Sequence, residues 1–305
     1  MQTAIRYGFA ADIDKLNSKT AVSGMAASAS GENSPYAGPI HLTVVGENIS
    51  FHKRHLEKIS TAKALQGGLY AGAAGFINLS YIAASKASGA VLFDINVYQT
   101  LFWNIVFEKI ARNSDKAHFR EDLSNIALDL REKGDLQPGS IRESFAAACK
   151  NAGTTLFKNL SEDTLPQWIE KDSRISPEGT WMHDSAAYAH IRSLVKGRAI
   201  GAVTLDITDR AACHHMGRYL DGDGAKIRLL YASNILNFLQ PVIRKTDFIG
   251  RRISDRTQEN AKANLYGWME RKGHIIECDN LERNTPLLVP AHIYKPQRPP
   301  VPAFS

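Results

Sequence analysis

The sequence has little cysteine, no block of like charge and no long apolar run. Its three cysteines, Cys149, Cys213 and Cys278, stand far apart in 305 residues without a CxxC pair, which argues against a disulfide framework or a zinc knuckle. The longest uncharged stretch, 64–85, contains four glycines and is too interrupted for a spanning helix of about 20 apolar residues. The N-terminus has no basic region followed by an apolar segment, so we expect no secretory signal and a reducing, cytoplasmic compartment.

The composition is that of a globular protein. Hydrophobic residues make up 44% and charged residues 22% of the chain, which argues against a largely disordered or fibrous protein. The formal net charge of +6 is spread over the chain, so it indicates no nucleic-acid partner and favours anionic partners only weakly. The length suggests one large domain with additions. The oligomeric state cannot be predicted from these features.

The additions are assigned by composition. Residues 1–38 are predicted to be a weakly ordered N-terminal arm, since 23–34 is rich in alanine, serine and glycine. A single domain is expected over 39–294, with a charged helical insertion at about 113–178. Residues 295–305 form a proline-rich tail, which is interpreted as a solvated extension in preference to a ligand for an SH3-like groove.

Short apolar runs alternate with helical patterns along the domain. Strands are predicted over 69–71, 90–95, 199–207, 226–232, 274–278 and 287–294. Helices are predicted over 50–66, 76–86 and 97–112, after Trp181 as far as Gly197, and over 211–220, 235–239 and 257–271. Strands that alternate with helices imply a mostly parallel sheet covered on both faces. The fold class is therefore α/β.

A glycine loop and an acidic residue follow the first two strands. Gly72 and Gly75 stand in a strand-to-helix turn, and Asp94 ends the next strand 22 positions after Gly72. In open α/β sheets this order suits a ribose-containing cofactor, because the loop lets the backbone approach the ligand and the acid accepts bonds from ribose hydroxyls. Two alternatives remain open: the glycines serve only close packing, or Asp94 caps the helix that starts at Val97.

The ends of the later strands help to choose the cofactor. The glycine spacing does not supply the GxGxxG fingerprint expected of a dinucleotide site. Asp206 is a candidate partner for an adenine amino group, and Ser233 and Asn234 are placed to orient substrate or cofactor. The alternative for Asp206 and Asp209 is to cap the helix that begins near Arg210, and that for Ser233 and Asn234 is to cap the helix over 235–239.

Four segments carry a family resemblance: 69–83 (LYAGAAGFINLSYIA), 181–198 (WMHDSAAYAHIRSLVKGR), 203–209 (VTLDITD) and 229–238 (LLYASNILNF). In that order they resemble uncharacterised bacterial proteins regarded as class I S-adenosylmethionine-dependent methyltransferase-like. The resemblance covers roughly 51–278 and implies a three-layer Rossmann-like methyltransferase sheet with an S-adenosylmethionine site. One departure is that Tyr70 and Ala71 stand where typical members begin the glycine loop with an acidic residue.

The candidate site combines both lines of reasoning. Cofactor binding is assigned to seven residues: Tyr70, Gly72, Gly75, Asn78, Asp94, Asp206 and Ser233. Asn234 and His183 are the candidate catalytic residues, although a helix cap by Asp184 or Ser185 is the favoured interpretation of the segment at His183. No metal site is expected, because Cys213, His214 and His215 fan out around a helix. The predicted function is methyl transfer to an unidentified acceptor, with a small molecule favoured; the alternatives are an NAD(P)-dependent oxidoreductase and a non-catalytic binding protein.

Overall fold

The computed structural model describes residues 49–73, 75–95, 97–124, 180–222, 225–243, 245, 252–278 and 286–296. The predicted N-terminal arm, residues 125–179 of the predicted insertion and the tail from 297 lie outside the described residues. Among the residues that are described, no helix combines the length and the apolar character that crossing a bilayer requires.

The first half of the domain alternates helices and strands. Its elements are α1 Ile49–Thr61, a 3-10 helix Lys63–Leu65, β1 Leu69–Ala73, α2 Ile77–Ala84, β2 Gly89–Asp94, α3 Val97–Arg112 and α4 Lys116–Ser124. The chain turns into β1 through Gly67 and Gly68, whose φ angles of 68° and 71° lie in the left-handed region that favours glycine. The first helix ends at Thr61, earlier than predicted, and the separate 3-10 helix occupies Lys63–Leu65.

The second half repeats the alternation. Its elements are α5 Ser185–Lys196, β3 Ile200–Thr204, α6 Arg210–Gly222, β4 Ile227–Ser233, α7 Ile235–Phe238, α8 Asp255–Gly267, β5 Met269–Cys278, β6 Pro286–Pro290 and a 3-10 helix Ala291–Tyr294. Asp184 caps α5, since its carboxylate accepts bonds from the backbone N–H groups of Ala186 and Ala187 at 2.7 and 2.9 Å.

The six strands form one sheet in the order β3-β2-β1-β4-β5-β6. All neighbours are parallel except β6, which runs antiparallel to β5. The central strand β1 is buried along its whole length, as expected for a parallel strand covered on both faces. The predicted α/β fold with a mostly parallel open sheet is confirmed.

Alternate residues of each strand face two separate cores, which makes three layers. Helices α1 to α5 cover the face that contains Tyr70, Leu92, Ala202, Tyr231 and Ile276. Helices α6 to α8 cover the face that contains Ala71, Val91, Val203, Leu230 and Ile275.

A polar group lies buried within the first core. Nδ1 of His52 on α1 lies 2.6 Å from the hydroxyl of Tyr81 on α2, and both side chains are inaccessible to solvent. Burial, with a smaller contribution from nearby His55, lowers the pKa of His52 to about 3 because a charged imidazole is poorly solvated there. The ring is therefore neutral at physiological pH and joins the two helices.

Two predicted boundaries near the C-terminus are wrong. The helix predicted to reach Arg271 ends at Gly267, and Met269 already belongs to β5. Trp268 at this junction is only 1% exposed and donates an indole hydrogen bond to the carbonyl of Cys213 at 2.9 Å, which fixes the chain where it turns into the strand. The strand predicted to reach Tyr294 ends at Pro290, where a 3-10 helix begins.

Candidate functional site

The strand order creates a crevice at one edge of the sheet. From β1 the chain crosses to β2 and β3 on one side, and it then returns to β4 on the other side. The helices that leave β1 and β4 therefore diverge. In open α/β sheets ligands bind at such a reversal, beyond the carboxyl ends of the strands. The residues that follow β1, β2, β3 and β4 are therefore the candidates for ligand contact.

The loop after β1 is held by a side chain from the helix that follows it. The amide of Asn78 donates to the carbonyls of Ala73 and Gly75, both at 2.7 Å, and its Oδ1 accepts from the hydroxyl of Tyr70 at 2.7 Å. Tyr70 and Asn78 are fully buried. Because both side chains are buried and hold the loop in place, the surface that the loop offers to a ligand is formed by its backbone.

Gly72 is required by this arrangement. A Cβ at Gly72 would lie 1.8 Å from Oδ1 of Asn78 and 2.8 Å from the ring of Tyr70, distances that no real contact tolerates. The space beside Gly72 is therefore occupied by the protein itself, which agrees with the packing alternative for this glycine. Gly75 is also buried and accepts the bond from Asn78.

Asp94 lies next to the glycine loop, as its spacing predicts. Gly72 is paired with Leu92 and Ala73 with Phe93, so Asp94 is the first residue beyond the pairing of β1 with β2. Adjacent strands are about 4.8 Å apart, which sets Asp94 beside the residues that follow Ala73. Its side chain is half-buried, and its carbonyl accepts a bond from the N–H of Leu205 at 2.8 Å.

The two aspartates after β3 have different partners. Asp209 caps α6 by accepting bonds from the backbone N–H groups of Ala211 and Ala212 at 2.8 and 3.0 Å, so the capping alternative is confirmed for this residue. Asp206 is 3% exposed, and its Oδ1 accepts from the N–H and the hydroxyl of Thr208 at 2.8 and 2.7 Å. One carboxylate oxygen of Asp206 is thus already used in a local turn.

β4 ends in a strained residue. Ser233 has a φ angle of 53°, in the left-handed region, which costs a non-glycine residue about 1–3 kcal/mol and is frequent at functional sites. The next residue, Asn234, occupies the N-cap position of α7 without a side-chain capping bond. Capping therefore does not account for the Asn234 side chain, which is half-buried and lies 3.4 Å from the Ser233 hydroxyl.

A polar contact that the sequence did not indicate lies beside Asp94. The hydroxyls of Thr100 and Thr204 are 2.9 Å apart and buried, and they join α3 to the end of β3. Gln99, next to Thr100, is fully buried. Both residues lie in the first turn of α3. The periodicity of α3 in the sequence indicates only its apolar face, and a polar contact between residues 104 positions apart leaves no such pattern.

His183 is not among the residues at the strand ends. It precedes α5, and its backbone carbonyl accepts a bond from the Lys116 ammonium of α4. Burial lowers the pKa of His183 to about 4, and the positive charges of Arg120 and Lys116 add to the shift. The imidazole is therefore neutral near pH 7. The structure brings the loop, Asp94, Asp206, Ser233 and Asn234 to one edge of the sheet, and it places His183 two residues after Trp181, whose ring lies 5.6 Å from that of Phe76.

An open groove of about 510 Å³ lies away from the strand ends, between α1, α2 and α5. Apolar residues that include Leu56 and Ala83 line it, together with Lys53, Glu57 and Lys86. Because both signs of charge border it, the groove selects no class of ligand. The strand-end crevice, where strand order and polar residues coincide, is the better candidate site.

Comparison with known proteins gives a family without an assigned activity. The family model of a domain of unknown function, DUF7790, matches residues 51–250, which is more than half of the chain, and the chain belongs to this family. The matched residues include the glycine loop, Asp94, Asp206 and Asn234. No curated protein matches the sequence with statistical significance.

Proposed function

We propose that this member of the DUF7790 family binds S-adenosylmethionine in the strand-end crevice and transfers its methyl group to a small molecule in the cytoplasm. The observation that carries the proposal is the register of β1 and β2, in which Asp94 follows the pairing of Ala73 with Phe93. A carboxylate is thereby held beside a glycine loop at the reversal of strand order, where α/β proteins bind ribose-containing cofactors.

Each residue of the crevice has a distinct role in this proposal. Asp94 accepts hydrogen bonds from the ribose hydroxyls, and the backbone of the loop before α2 lies against the cofactor. Asp206 accepts a hydrogen bond from the adenine amino group in this proposal, and it is less available than Asp94 because one of its oxygens already accepts bonds from Thr208. The cofactor supplies a methyl group bound to a positively charged sulfur.

Ser233 and Asn234 orient the two reactants, Ser233 on the cofactor side and Asn234 on the acceptor side. The positive φ angle of Ser233 turns the chain sharply at the end of β4, so that Asn234 is the first residue beyond the strand at the crevice. Positioning of the two reactants supplies much of the rate in such a transfer, because aligned reactants avoid the entropic cost of meeting. His183 stays a candidate catalytic residue, since Trp181, two residues before it, packs on Phe76 directly after the glycine loop.

Two observations bear on the alternative functions. A dinucleotide-binding sheet is built from two βαβαβ halves. Among the described strands, the second half ends in β6, which is antiparallel, and this disfavours an NAD(P)-dependent oxidoreductase. The filled space beside Gly72 instead favours the second candidate, a non-catalytic binding protein that retains the sheet without the cofactor.

Titration calorimetry with the demethylated product of S-adenosylmethionine tests the proposal through Asp94. Removing the carboxylate in Asp94→Ala deletes charge-assisted hydrogen bonds worth about 1.5–3 kcal/mol, so we expect the Kd to rise roughly 10- to 100-fold. Glu259→Gln is the matched control, because Glu259 is an exposed carboxylate on α8 outside the crevice. Its Kd should equal that of the wild type.

The outcomes separate the three functions. Binding that depends on Asp94 supports a methyltransferase site. Binding of NAD or NADP in its place supports the oxidoreductase. A folded wild-type protein that gives no heat with any of these ligands at millimolar concentration would leave the non-catalytic binding protein.

A further inference from the structure

We propose that the turn 241–243, together with the exposed cations Lys245 and Arg252, docks the protein on the surface of an anionic bilayer. Val242 is 82% exposed and Ile243 is 41% exposed. Large exposed apolar side chains that occur singly need no explanation. These two are adjacent and occupy the tip of one turn. This inference is independent of the proposed methyl transfer.

The turn is held in a fixed conformation. The N–H of Ile243 donates to the carbonyl of Gln240 at 3.0 Å, and Leu239, just before it, is 3% exposed and belongs to the core under α6 to α8. Because the chain is anchored at Leu239 and closed by the backbone bond, Val242 points into solvent as part of the folded structure. Such a protruding aliphatic pair suits insertion at the boundary between headgroups and acyl chains.

Cations lie beside the apolar pair. Lys245 and Arg252 are both exposed, and the N–H of Ile253 donates to the carbonyl of Lys245 at 3.0 Å, which brings these two basic positions together. Within the described residues, neither cation is joined to a carboxylate.

The combination favours a bilayer over a protein partner. A stable protein interface buries about 800 Å² on each side, far more than two aliphatic side chains supply. A membrane surface requires only shallow insertion together with attraction to anionic headgroups, each basic residue adding to the affinity. Because α7 begins directly after Asn234 and the turn follows α7, docking here also sets the strand-end crevice close to the lipid surface.

Vesicle flotation of the full chain tests the proposal. We expect the wild type to float with vesicles of phosphatidylcholine mixed with phosphatidylserine at low salt, and to remain unbound with phosphatidylcholine alone or at high salt. Lys245→Glu should reduce partitioning at least roughly fivefold, the effect of losing one cation near an anionic surface. The double variant Val242→Asp, Ile243→Asp should reduce it by roughly tenfold or more, since it removes the inserted groups and adds negative charge.

Ile293→Asp is the matched control, because Ile293 is a 55% exposed apolar residue on the 3-10 helix after β6. It should float like the wild type, and circular dichroism melts should show that all variants are folded. The proposal is overturned if the wild type does not float with the anionic vesicles at low salt. It is also overturned if the double variant floats as well as the wild type, or if Ile293→Asp loses as much binding as the double variant does.

Discussion

The contact between Asn78 and Gly72 predicts a strong energetic coupling. Asn78→Ala removes three buried hydrogen bonds, to Tyr70, Ala73 and Gly75, and at about 1 kcal/mol each this costs about 3 kcal/mol. Gly72→Ala places a Cβ 1.8 Å from Oδ1 of Asn78, so Asn78 must leave its position and the same bonds are lost. We therefore expect the single variant Gly72→Ala to cost about 3 kcal/mol or more.

The double variant should be much more stable than the two single costs imply. Once Asn78 is truncated, the remaining obstacle to a Cβ at Gly72 is the Tyr70 ring at 2.8 Å, and the hydrogen bonds can be lost only once. The cost of the double variant should therefore fall short of the sum by about 2–3 kcal/mol, the upper range for residues in contact.

Urea unfolding of the four proteins measures this coupling. Gly72→Ala combined with Asp209→Ala, which lies in a different loop, is the control and should be additive within about 0.5 kcal/mol. If the costs of Gly72→Ala and Asn78→Ala also add within that error, Asn78 is not what excludes a side chain at Gly72, and our account of the loop is incorrect.

Two further predictions concern stability. The pKa of His52 is about 3 in the folded protein and near 6.5 in the unfolded chain. Its contribution to the free energy of unfolding is therefore complete above pH 6.5 and is lost, at up to roughly 1.4 kcal/mol per pH unit, as the pH falls toward 3. The urea midpoints at pH 7 and pH 5 should differ more for the wild type than for His52→Asn, and equal differences would contradict this. Asp209→Ala removes the cap of α6 and should lower the free energy of unfolding by about 1 kcal/mol, measured by thermal melts. The control Glu259→Gln should melt like the wild type. A melting temperature of Asp209→Ala equal to that of the control would contradict the cap.

The elements that the sequence predicted best are those with a strong local signal. β2 has a run of apolar residues bounded by glycine and aspartate, and α3 has a clear apolar face, so both were predicted within about one residue. The position of Asp94 beside the glycine loop followed from the same local reasoning, since a strand, a loop and a helix of ordinary length bring the end of β2 next to the end of β1.

Features that depend on contacts between distant residues could not be predicted. The sequence shows Gly72 and Asn78 six positions apart, but not that the Asn78 amide turns back into the space beside the glycine. Asp206 and Asp209 look alike in sequence, and only the course of the chain makes Asp209 the cap of α6. The end of α8 is fixed by the buried indole of Trp268 and its bond to Cys213, a tertiary contact that overrides the helical pattern.

The claim that the crevice binds S-adenosylmethionine can be tested by titration calorimetry of the wild-type protein with S-adenosylmethionine and, separately, with NAD. The strand order, the glycine loop and Asp94 together predict saturable binding of S-adenosylmethionine and no binding of NAD. Saturable binding of NAD alone, or no heat from S-adenosylmethionine at millimolar concentration with folded protein, would contradict the claim.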